Sequence, residues 1–586
     1  MMIQHEINRV FRVGHLACGL GSGALGFQQA DPRIGNVSAR FETAGGIDID
    51  PGALANFEKL TGVKGTHLDL FSREQYVAFQ GRQPPSEWRE ALPQDVRNAF
   101  GGPLPLDVAF SSPPCKGATS LLAPQHVGSP KYEALNGLTT RCYMLLLEAY
   151  KDDPIKILLL ENVPGLATKG RHLLNEIQAL LRHYGYAYAE DSHDCGEIGG
   201  LAQHRKRFLM VARHRESVPP FLYQPERKPM QTVGDVLGRL PLPGDPVAGA
   251  MHKIPNLKWK TWTRLAFIEP GSDWRSLTGL AVEDGRLRDW AIQPMNGAPQ
   301  TIDDQVPAGS PHNQVFGVRG WNGQTGLVAG ASRPHNGAYS VADPRYGMRD
   351  RHSTPGVRKW DGTTGAITGE SLPKNGALSV CDTRDTDEVS PTTDARYFRI
   401  VARTEDGAID PTPKGGRGGR GKYRVTRMDE ASGTVISSST TGEGAYAVAD
   451  ARLPDTGAMP NNRLPSQEES LCAVIIARDG TWHRPYTTLD LACLQSIIDP
   501  DDVAAGRDFS LLGTNNSENV RLWIGNAVPA HAARSIGNVV GEVLIMAQLG
   551  INFQLSSREI WCRPLALALT VDTTVPGGMH HLEASA

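Results

Sequence analysis

The chain has 586 residues, more than a single hydrophobic core usually serves, so two or more domains are expected. A hydrophobic fraction of 40%, a charged fraction of 21% and a net charge of −3 exclude a strongly basic chain, so any nucleic-acid footprint must be local. The chain shows no run of roughly 18 apolar residues, no signal-peptide core at its start and no C-x-x-C pair among its eight cysteines, so we expect a cytoplasmic protein without membrane span, disulfide framework or metal site.

Residues 1–229 alternate short apolar runs with helical patterns. The near-continuous apolar strands predict an α/β fold with a doubly wound, mostly parallel sheet. The runs typical of strands are "VGHLAC", "TAGGIDID", "DVAFSS", "KILLLENV" and "RKRFLMVARH". The patterns typical of helices are "GALGFQQA", "PGALANFEKLTG", "TTRCYMLLLEAYKD" and "HLLNEIQALLRHYG".

Residues 230–480 are rich in Gly, Pro, Thr, Asn and Asp and contain an internal repeat. The segment "VRGWNGQTGLVAGASRPHNGAYSVADPR" (318–345) returns as "VRKWDGTTGAITGESLPKNGALSVCDTR" (357–384) and, more weakly, as "VTRMDEASGTVISSSTTGEGAYAVADAR" (425–452). We interpret each copy as two short strands joined by glycine-rich turns, which predicts successive β-hairpins. We interpret Trp321 and Trp360 as core residues of their units.

The segment before the third copy, "TPKGGRGGRGKYR", is basic and glycine-rich. Its cations are candidates for phosphate contacts, which set affinity rather than sequence preference, and a solvated loop is the competing interpretation. These cations are Lys414, Arg417, Arg420 and Lys422. Helical patterns resume after residue 480 in "YTTLDLACLQSIID" and "PAHAARSIGNVVGEVLIMAQLG", whereas residues 551–586 carry no clear signal.

A glycine-rich turn links the first predicted strand to the first helix. Gly19, Gly21 and Gly23 in this turn let a ligand approach the backbone at a helix N-terminus. Asp48 and Asp69 follow the next two predicted strands. Because these strand ends meet at one crevice, we favour a nucleotide-like ligand over the alternative of a simple tight turn.

One cysteine stands in an unusual place. Cys115 follows Pro113 and Pro114 at the carboxyl end of a strand and precedes Lys116. A thiolate there is a candidate nucleophile, and the alternative is a buried small hydrophobic residue. Glu161 ends another buried strand, where a carboxylate needs a partner or a task, such as holding a proton for a substrate nitrogen.

The run "AQHRKRFLMVA" carries three long polar side chains at alternating positions. Gln203, Arg205 and Arg207 would share one face of a strand. A solvated charged edge is the alternative, but it is weakened because the run leads directly into an apolar strand.

Taken in order, these motifs resemble those of the DNA cytosine-5 methyltransferases of bacteria and phages. The matching segments are "ACGLGSG", "PPCKG", "ENV", "QHRKR", "RPYTTLDLACLQ" and "GNAVP". The resemblance implies a Rossmann-like, S-adenosylmethionine-dependent methyltransferase with an inserted β-rich target recognition domain. The division that we expect is 1–229 for the first catalytic part, 230–480 for target recognition, 481–550 for the remainder of the catalytic domain and 551–586 for a tail.

The resemblance also implies a covalent mechanism. Cytosine is flipped out of the duplex, and Cys115 attacks its carbon 6. Glu161 holds the proton at nitrogen 3, while Arg207 and Arg205 orient the base. Carbon 5 takes the methyl group, which leaves S-adenosylhomocysteine, and loss of the carbon 5 proton releases the enzyme thiol.

Ligand contacts carried over from the resemblance fall into two sets. In the first, Asp48 meets the ribose, Ile49 packs on the adenine and Asp69 meets the adenine amino group. The full cofactor set is Ala17, Gly19, Gly21, Gly23, Asp48, Ile49, Asp69, Leu70, Pro113, Asn526 and Val528. The DNA set is Lys116, Gln203, Arg484 and Thr487, together with the four cations of the basic segment.

The chain departs from the family pattern at Ala17, Ser22, Lys116 and Asp490, which leaves room for a transferred group other than methyl. The expected partner is double-stranded DNA, and the expected state is a monomer in a bacterial cell or a phage-infected host, with or without a cognate restriction enzyme. One alternative is a tRNA cytosine-5 methyltransferase, against which the long insert argues. The other is a catalytically silent DNA-binding protein, against which the retained catalytic set argues.

Overall fold

The computed structural model describes most of the catalytic part of the chain and part of the insert. Only the backbone is described for residues 317–319, 338–341, 356–359 and 377–381. The other described ranges are 7–114, 129–221, 223–272, 274–283, 286–294, 396–402, 424–435, 446–452, 464–513 and 517–551.

The first sheet has eight strands. They are β1 (Ile7–Leu16), β2 (Arg33–Ile34), β3 (Val37–Asp48), β4 (Thr66–His67), β5 (Val108–Ser111), β6 (Ile157–Asn162), β7 (Tyr186–Asp194) and β8 (Lys206–His214). Seven follow the order β2-β3-β1-β5-β6-β8-β7, and β4 pairs with β3. The central pairs run parallel, whereas β2 and the β8-β7 edge are antiparallel.

Helices cover both faces of this sheet. Because side chains alternate along a strand, Ile157 and Leu159 pack with helices on one face, and Leu158 and Leu160 pack with helices on the other. The doubly wound, mostly parallel sheet that the sequence predicted is therefore confirmed. The helices of the catalytic part are α1 (Ser22–Gln28), α2 (Pro51–Thr61), α3 (Arg73–Gln80), α4 (Pro93–Ala99), α5 (Pro130–Ala149), α6 (Arg171–His183) and α7 (Cys195–Gly199).

Strand β7 is the longest strand of this sheet that the sequence analysis missed, and it also missed β2, α3, α4 and α7. Its sequence YAYAEDSHD is polar and half-exposed, as suits an edge strand, so it lacks the apolar run of the central strands. It lies beside β8 and completes the antiparallel edge of the sheet.

The remaining helices and strands belong to the insert and the C-terminal part. The helices are α8 (Val233–Leu237), α9 (Trp259–Phe267), α10 (Thr488–Leu494), α11 (Pro500–Ala504), α12 (Ser517–Asn526) and α13 (Ala530–Gln548). The strands are β9 (Leu257–Lys258), β10 (Val282–Glu283), β11 (Arg286–Leu287), β12 (Trp290–Pro294), β13 (Gly317–Arg319), β14 (Ala338–Val341), β15 (Gly356–Lys359), β16 (Ala377–Cys381), β17 (Arg396–Ala402), β18 (Val425–Arg427), β19 (Ala447–Asp450), β20 (Ser470–Leu471), β21 (Ala473–Ile476) and β22 (Trp482–Pro485).

A second sheet of six strands carries the third repeat copy. Its order is β12-β17-β21-β22-β19-β18, and β18 and β19 are the two strands of that copy. The last strand of this sheet in the chain, β22, begins at Trp482, just beyond the expected boundary at residue 480. The division into domains remains a prediction.

The repeat copies do not form hairpins. In every copy the first and last strands pair in parallel, whereas a hairpin pairs its strands antiparallel. The hairpin prediction was wrong because strand direction depends on how the connection crosses over, which local turn residues do not determine. Trp321 and Trp360 lie outside the described residues.

No helix in the described part of the chain is long and apolar enough to cross a membrane. Within the same residues, no group of three or more His, Cys, Asp and Glu side chains could hold a metal ion.

Candidate active site

The turn before the predicted nucleophile is fixed by an asparagine from the neighbouring strand. Asn162 Nδ2 donates to the carbonyl oxygen of Pro113 at 3.0 Å, and its Oδ1 accepts from the Val163 amide at 2.8 Å. The side chain therefore ties the end of β6 to the exit of β5. Cys115 and Lys116 lie outside the described residues.

Glu161 and Arg207 form the charged pair at this strand end. Glu161 is 6% exposed, and its Oε1 lies 2.9 Å from Arg207 Nε. The contact is an ion pair without hydrogen-bond alignment, because this oxygen has no hydrogen-bond partner among the described residues. A buried carboxylate oxygen with unused capacity beside a cation can accept a hydrogen bond from a ligand.

Arg205 lies inside the protein, where its guanidinium contacts two distant segments. Its guanidinium is buried and donates to the carbonyl oxygens of Val435 at 2.9 Å, Gly525 at 3.1 Å and Ala527 at 2.8 Å. Burial lowers the pKa of Arg205 to about 9. Four of its five N–H donors are thus directed to, or lie beside, two distant segments, while Nε has no hydrogen-bond partner among the described residues, and the role of Arg205 in orienting the base stays a prediction.

Gln203, predicted to contact DNA, is fully buried. Its Nε2 donates to the Leu494 carbonyl at 3.0 Å and to Gln495 Oε1 at 2.9 Å. Its Oε1 accepts from the Val435 amide at 3.2 Å. The amide is satisfied inside the protein, so in this structure Gln203 joins three segments and does not reach a surface.

The glycine-rich turn forms an open cradle. The Gly19 amide donates to Asp48 Oδ2 at 2.8 Å. Gly19 has a φ of 55°, and a Cβ at this position would meet no atom within 4 Å, which leaves space for a ligand against the backbone. Gly21 has a φ of 96°, and a Cβ there would lie 2.9 Å from the Phe57 ring. Burial raises the pKa of Asp48.

Other predicted cofactor residues surround this cradle. Ile49 is 53% exposed, an accessible apolar side chain that could pack on a ring. The Ser22 hydroxyl donates to the Val528 carbonyl. Asn526, two residues before Val528 in the sequence, is exposed. Leu70 is buried, and Ala17 has a φ of 50°. The structure therefore brings the first and last motifs together.

Asp69 makes two contacts that the sequence did not predict. Its Oδ1 accepts from the Phe71 amide at 2.9 Å, and its Oδ2 accepts from Trp88 Nε1 at 3.0 Å. The indole thus orients the carboxylate expected to meet an adenine amino group.

Trp523 is a site residue that sequence reasoning missed. Its Nε1 donates to Asp50 Oδ2 at 2.7 Å, across 473 positions of sequence. Asp50 also caps α2 by accepting from the Gly52 amide at 2.8 Å. The one available signal was a tryptophan just before the "GNAVP" segment.

Arg484, predicted to contact DNA, lies instead in a buried ion network. Its Nε donates to Asp450 Oδ2 at 2.9 Å and its Nη1 to Asp490 Oδ2 at 2.6 Å. All three side chains are fully buried. The prediction for Arg484 is not supported, because two carboxylates hold the cation inside the protein.

Thr487, the other predicted DNA contact, is buried at the start of α10. Its hydroxyl accepts from the Asp490 amide at 3.1 Å and lies 2.7 Å from His252 Nδ1. His252 Nε2 lies 2.9 Å from the Pro241 carbonyl, which suits a neutral ring that donates there and accepts from the threonine. Thr487 is therefore a helix cap in this structure. The basic cluster Lys414, Arg417, Arg420 and Lys422 lies outside the described residues.

The buried His252 makes stability pH-dependent. Burial lowers its pKa from 6.5 to about 4. Between these two pH values the unfolded chain binds more protons than the folded chain. The contribution of neutral His252 to the free energy of unfolding is therefore complete above about pH 6.5 and is lost as the pH falls towards about 4. We expect His252→Gln to flatten the fall in free energy of unfolding over this range in urea titrations.

The free energy of unfolding of His252→Gln should still fall in part as the pH falls, because burial also lowers the pKa of His15, His193 and His531. His172→Gln changes an exposed histidine and should leave the slope unchanged. Equal slopes for His252→Gln and the unmodified protein would show that this histidine does not contribute.

Residues 95–264 match the model of the family described as C-5 cytosine-specific DNA methylase. The matched stretch holds the Pro-Cys turn, the Glu161 strand and the Gln203–Arg207 run. A search of curated proteins found no match.

Several solved structures resemble the chain at low identity. A putative DNA modification methyltransferase encoded within a prophage (E. coli) is 13% identical, with 91% of this chain and 99% of that chain covered and a TM-score of 0.39. A methyltransferase of Entamoeba histolytica is 11% identical, with 92% and 98% covered and a TM-score of 0.37. The S. pombe Dnmt2 methyltransferase is 13% identical, with 93% and 100% covered and a TM-score of 0.35. At such TM-scores we draw no conclusion from these likenesses.

Proposed function

We propose, on the premise that residues 95–264 make this chain a member of the C-5 cytosine-specific DNA methylase family, that it methylates carbon 5 of cytosine in duplex DNA. The observation that carries the proposal is the Glu161–Arg207 pair. A buried carboxylate with an unsatisfied oxygen ends the strand next to the turn that leads to Cys115. This arrangement suits a covalent attack on a pyrimidine ring.

The protein's own residues would divide the reaction into steps. A cytosine is taken out of the stack at a cost of a few kcal/mol. The Cys115 thiolate forms a bond to ring carbon 6, while Glu161 holds a proton at nitrogen 3, so that the electron pair reaches carbon 5. Arg207 orients the Glu161 carboxylate from 2.9 Å. After the methyl group has been transferred to carbon 5, water takes the carbon 5 proton, the carbon 6–sulfur bond breaks to release the thiolate, and the proton at nitrogen 3 returns to Glu161.

The cradle around Gly19 fits S-adenosylmethionine as methyl donor. Bound there, the sulfonium compound supplies an electrophilic methyl group and leaves as S-adenosylhomocysteine. S-adenosylmethionine would lie against the backbone in the open space over Gly19. Asp48 would accept hydrogen bonds from its ribose hydroxyls, and Ile49 would pack on its adenine ring. Pro113 and Val528 would bound the same pocket.

DNA is the substrate that we favour over tRNA. The insert carries repeated β units and a basic segment, which suit a long double helix better than a compact RNA. The two alternative functions, a tRNA methyltransferase and a catalytically silent DNA-binding protein, predict different results when covalent adducts are sought. A tRNA enzyme would form its covalent adduct on tRNA alone, and a silent binding protein would form none.

We expect the protein to be trapped on duplex DNA that carries 5-fluorocytosine in the presence of S-adenosylmethionine, because fluorine at carbon 5 cannot leave as a proton. Cys115→Ala should abolish the adduct on denaturing gels. Glu161→Gln should lower its rate by about 100-fold or more, as loss of a general acid–base group does.

The matched control is Cys142→Ala, which removes a buried thiol from the core between the sheet and α5. It should leave adduct formation intact. An adduct on tRNA but not on any duplex would favour the RNA enzyme, whereas tight DNA binding without an adduct would favour the silent protein.

The cradle can be tested by adding one methyl group. Gly19→Ala should raise KM for S-adenosylmethionine about tenfold or more, since a misplacement of ~1 Å costs up to ~100-fold. Gly62→Ala is matched, because Gly62 also has a positive φ, 72°, and open space around its Cβ position.

Both substitutions should lower stability by about 1 kcal/mol through left-handed strain. Only Gly19→Ala should change KM in methyl-transfer assays. An equal change in KM for both variants, or for neither, would contradict the proposed position of the cofactor.

A further inference from the structure

The stretch of chain between β4 and β5 contains a small core of its own. We call residues 71–90 the aromatic segment, which includes α3. Its core is separate from the two cores that line the first sheet. Phe71 and Tyr76 are buried there with Leu135 of α5, and the half-buried Trp88 packs against them. The aromatic segment is therefore a packed unit that lies on α5.

One arginine of α5 fixes both ends of the aromatic segment. Arg141 donates through Nε to the Leu70 carbonyl at 3.1 Å and through Nη2 to the Ala91 carbonyl at 3.3 Å. These two carbonyls lie just before and just after the segment. Arg141 Nη2 also donates to Glu90 Oε2 at 3.0 Å, and Glu90 Oε1 accepts from the Arg73 amide at 2.8 Å. The segment thus leaves and rejoins the rest of the chain at a defined place.

Trp88 is the residue through which the aromatic segment contacts the predicted cofactor site. Its ring centroid lies 5.0 Å from that of Tyr76, at an interplanar angle of 52°. The guanidinium carbon of Arg73 lies 5.7 Å from the same centroid, within the range of a cation–π contact. These neighbours restrict the indole, and its Nε1 donates to Asp69 Oδ2 at 3.0 Å, outside the segment.

Asp69 lies beside the strand end expected to hold the adenosine. It follows β4, in which His67 pairs in parallel with Asp48 of β3. The Leu68 amide donates to the Asp48 carbonyl at 3.1 Å, and His67 Nε2 lies 3.0 Å from the Ile49 carbonyl. The Asp69 carboxylate is therefore next to the two residues predicted to meet the ribose and the adenine ring.

The Asp69 carboxylate is oriented by two donors and keeps capacity for more. An ionised carboxylate offers about two accepting positions on each oxygen. Among the described residues, Oδ1 accepts from the Phe71 amide at 2.9 Å and Oδ2 accepts from Trp88 Nε1 at 3.0 Å. The last torsion of an aspartate has a broad energy minimum, so a bond to one oxygen alone lets the group turn. The indole on the second oxygen sets the direction of the remaining positions.

We propose that Trp88 is a positioning residue for S-adenosylmethionine, because it holds the Asp69 carboxylate at the angle from which it accepts a hydrogen bond from the adenine amino group. The inference rests on the proposed function. The amino group is a hydrogen-bond donor, and a carboxylate only accepts. Trp88 acts through Asp69 and does not itself touch the cofactor. It thereby sets a preference for adenine over a purine that lacks the amino group.

The test compares two ligands by isothermal titration calorimetry on the full chain without DNA. The ligands are S-adenosylhomocysteine and its analogue with hydrogen in place of the adenine amino group. The unmodified protein should bind S-adenosylhomocysteine about tenfold or more tightly than the analogue, as expected for a hydrogen bond to a charged group. Trp88→Phe keeps an aromatic ring but removes the N–H donor. It should lower this preference about threefold or more by weakening S-adenosylhomocysteine alone.

A double substitution separates positioning from general damage. Asp69→Ala should abolish the preference, and adding Trp88→Phe to it should change neither Kd, because no carboxylate is left to orient. Trp88→Leu removes the same donor with another side-chain shape and should reproduce the result of Trp88→Phe. The matched control is Trp262→Phe, which removes an indole bond to the Leu471 carbonyl at 2.8 Å inside the insert and should change neither Kd.

Three results would overturn the inference. They are an unchanged preference in Trp88→Phe and Trp88→Leu, an equal loss of affinity for both ligands, and a further loss when Trp88→Phe is added to Asp69→Ala. Failure of the unmodified protein to bind S-adenosylhomocysteine would contradict the proposed cofactor site, on which the inference rests. Normal binding with the predicted preference, but without methylation of DNA, would contradict the proposed function and leave the role of Trp88 supported.

Discussion

A buried arginine, Arg205, links segments that lie far apart in the sequence. Arg205 lies inside the protein, and its guanidinium donates to three backbone carbonyls. Burying a cation is costly unless its donors are paired, so these three bonds stabilise the carbonyls in their present positions, while Arg205 Nε has no hydrogen-bond partner among the described residues. One of the three carbonyls, on Val435, belongs to a repeat copy, and two, on Gly525 and Ala527, belong to the last motif. The chain next to the first sheet, a repeat copy and the last motif therefore meet at a single side chain.

Residues of the proposed reaction lie on both sides of Arg205. Arg207 lies two residues further along the chain, in β8, and pairs with Glu161, while Val528, one residue beyond the bonded carbonyl of Ala527, accepts a hydrogen bond from Ser22 in the glycine-rich turn. The site is thus assembled from segments about 500 residues apart in sequence. The second buried network, centred on Arg484, fixes the other side of the third repeat copy. Positioning by buried charge leaves the exposed surface of the insert free to vary.

The local elements were predictable because their signals are local. Apolar runs gave the central strands, and Pro51 and Gly62 marked the ends of α2, where Gly62 adopts a left-handed φ of 72°. Predicting a crevice at the strand ends needed only the rule for parallel sheets. Strand β7 escaped because a polar edge strand carries no apolar run.

The roles of several polar residues could not be predicted. Gln203 and Arg484 have residue types that contact DNA, but their partners Val435 and Asp450 are not adjacent to them in sequence. Thr487 caps α10 through the Asp490 amide, a local pattern that the resemblance to a DNA contact obscured. Residue type alone does not distinguish a buried ion pair from a phosphate contact. The direction of the repeat strands was missed for the same reason, since it follows from tertiary pairing.

Hydrogen–deuterium exchange on the Arg205→Met variant tests most directly whether Arg205 links the segments 432–435 and 525–528. The account predicts that amides of 432–435 and 525–528 exchange faster together, while those of α6 stay as in the unmodified protein, because three carbonyls lose their donor at once. Arg213→Met, which removes a single bond to the Val218 carbonyl, should leave both segments unchanged. Unchanged exchange in both segments, a gain in only one, or a uniform gain that includes α6 would contradict the claim that Arg205 joins them.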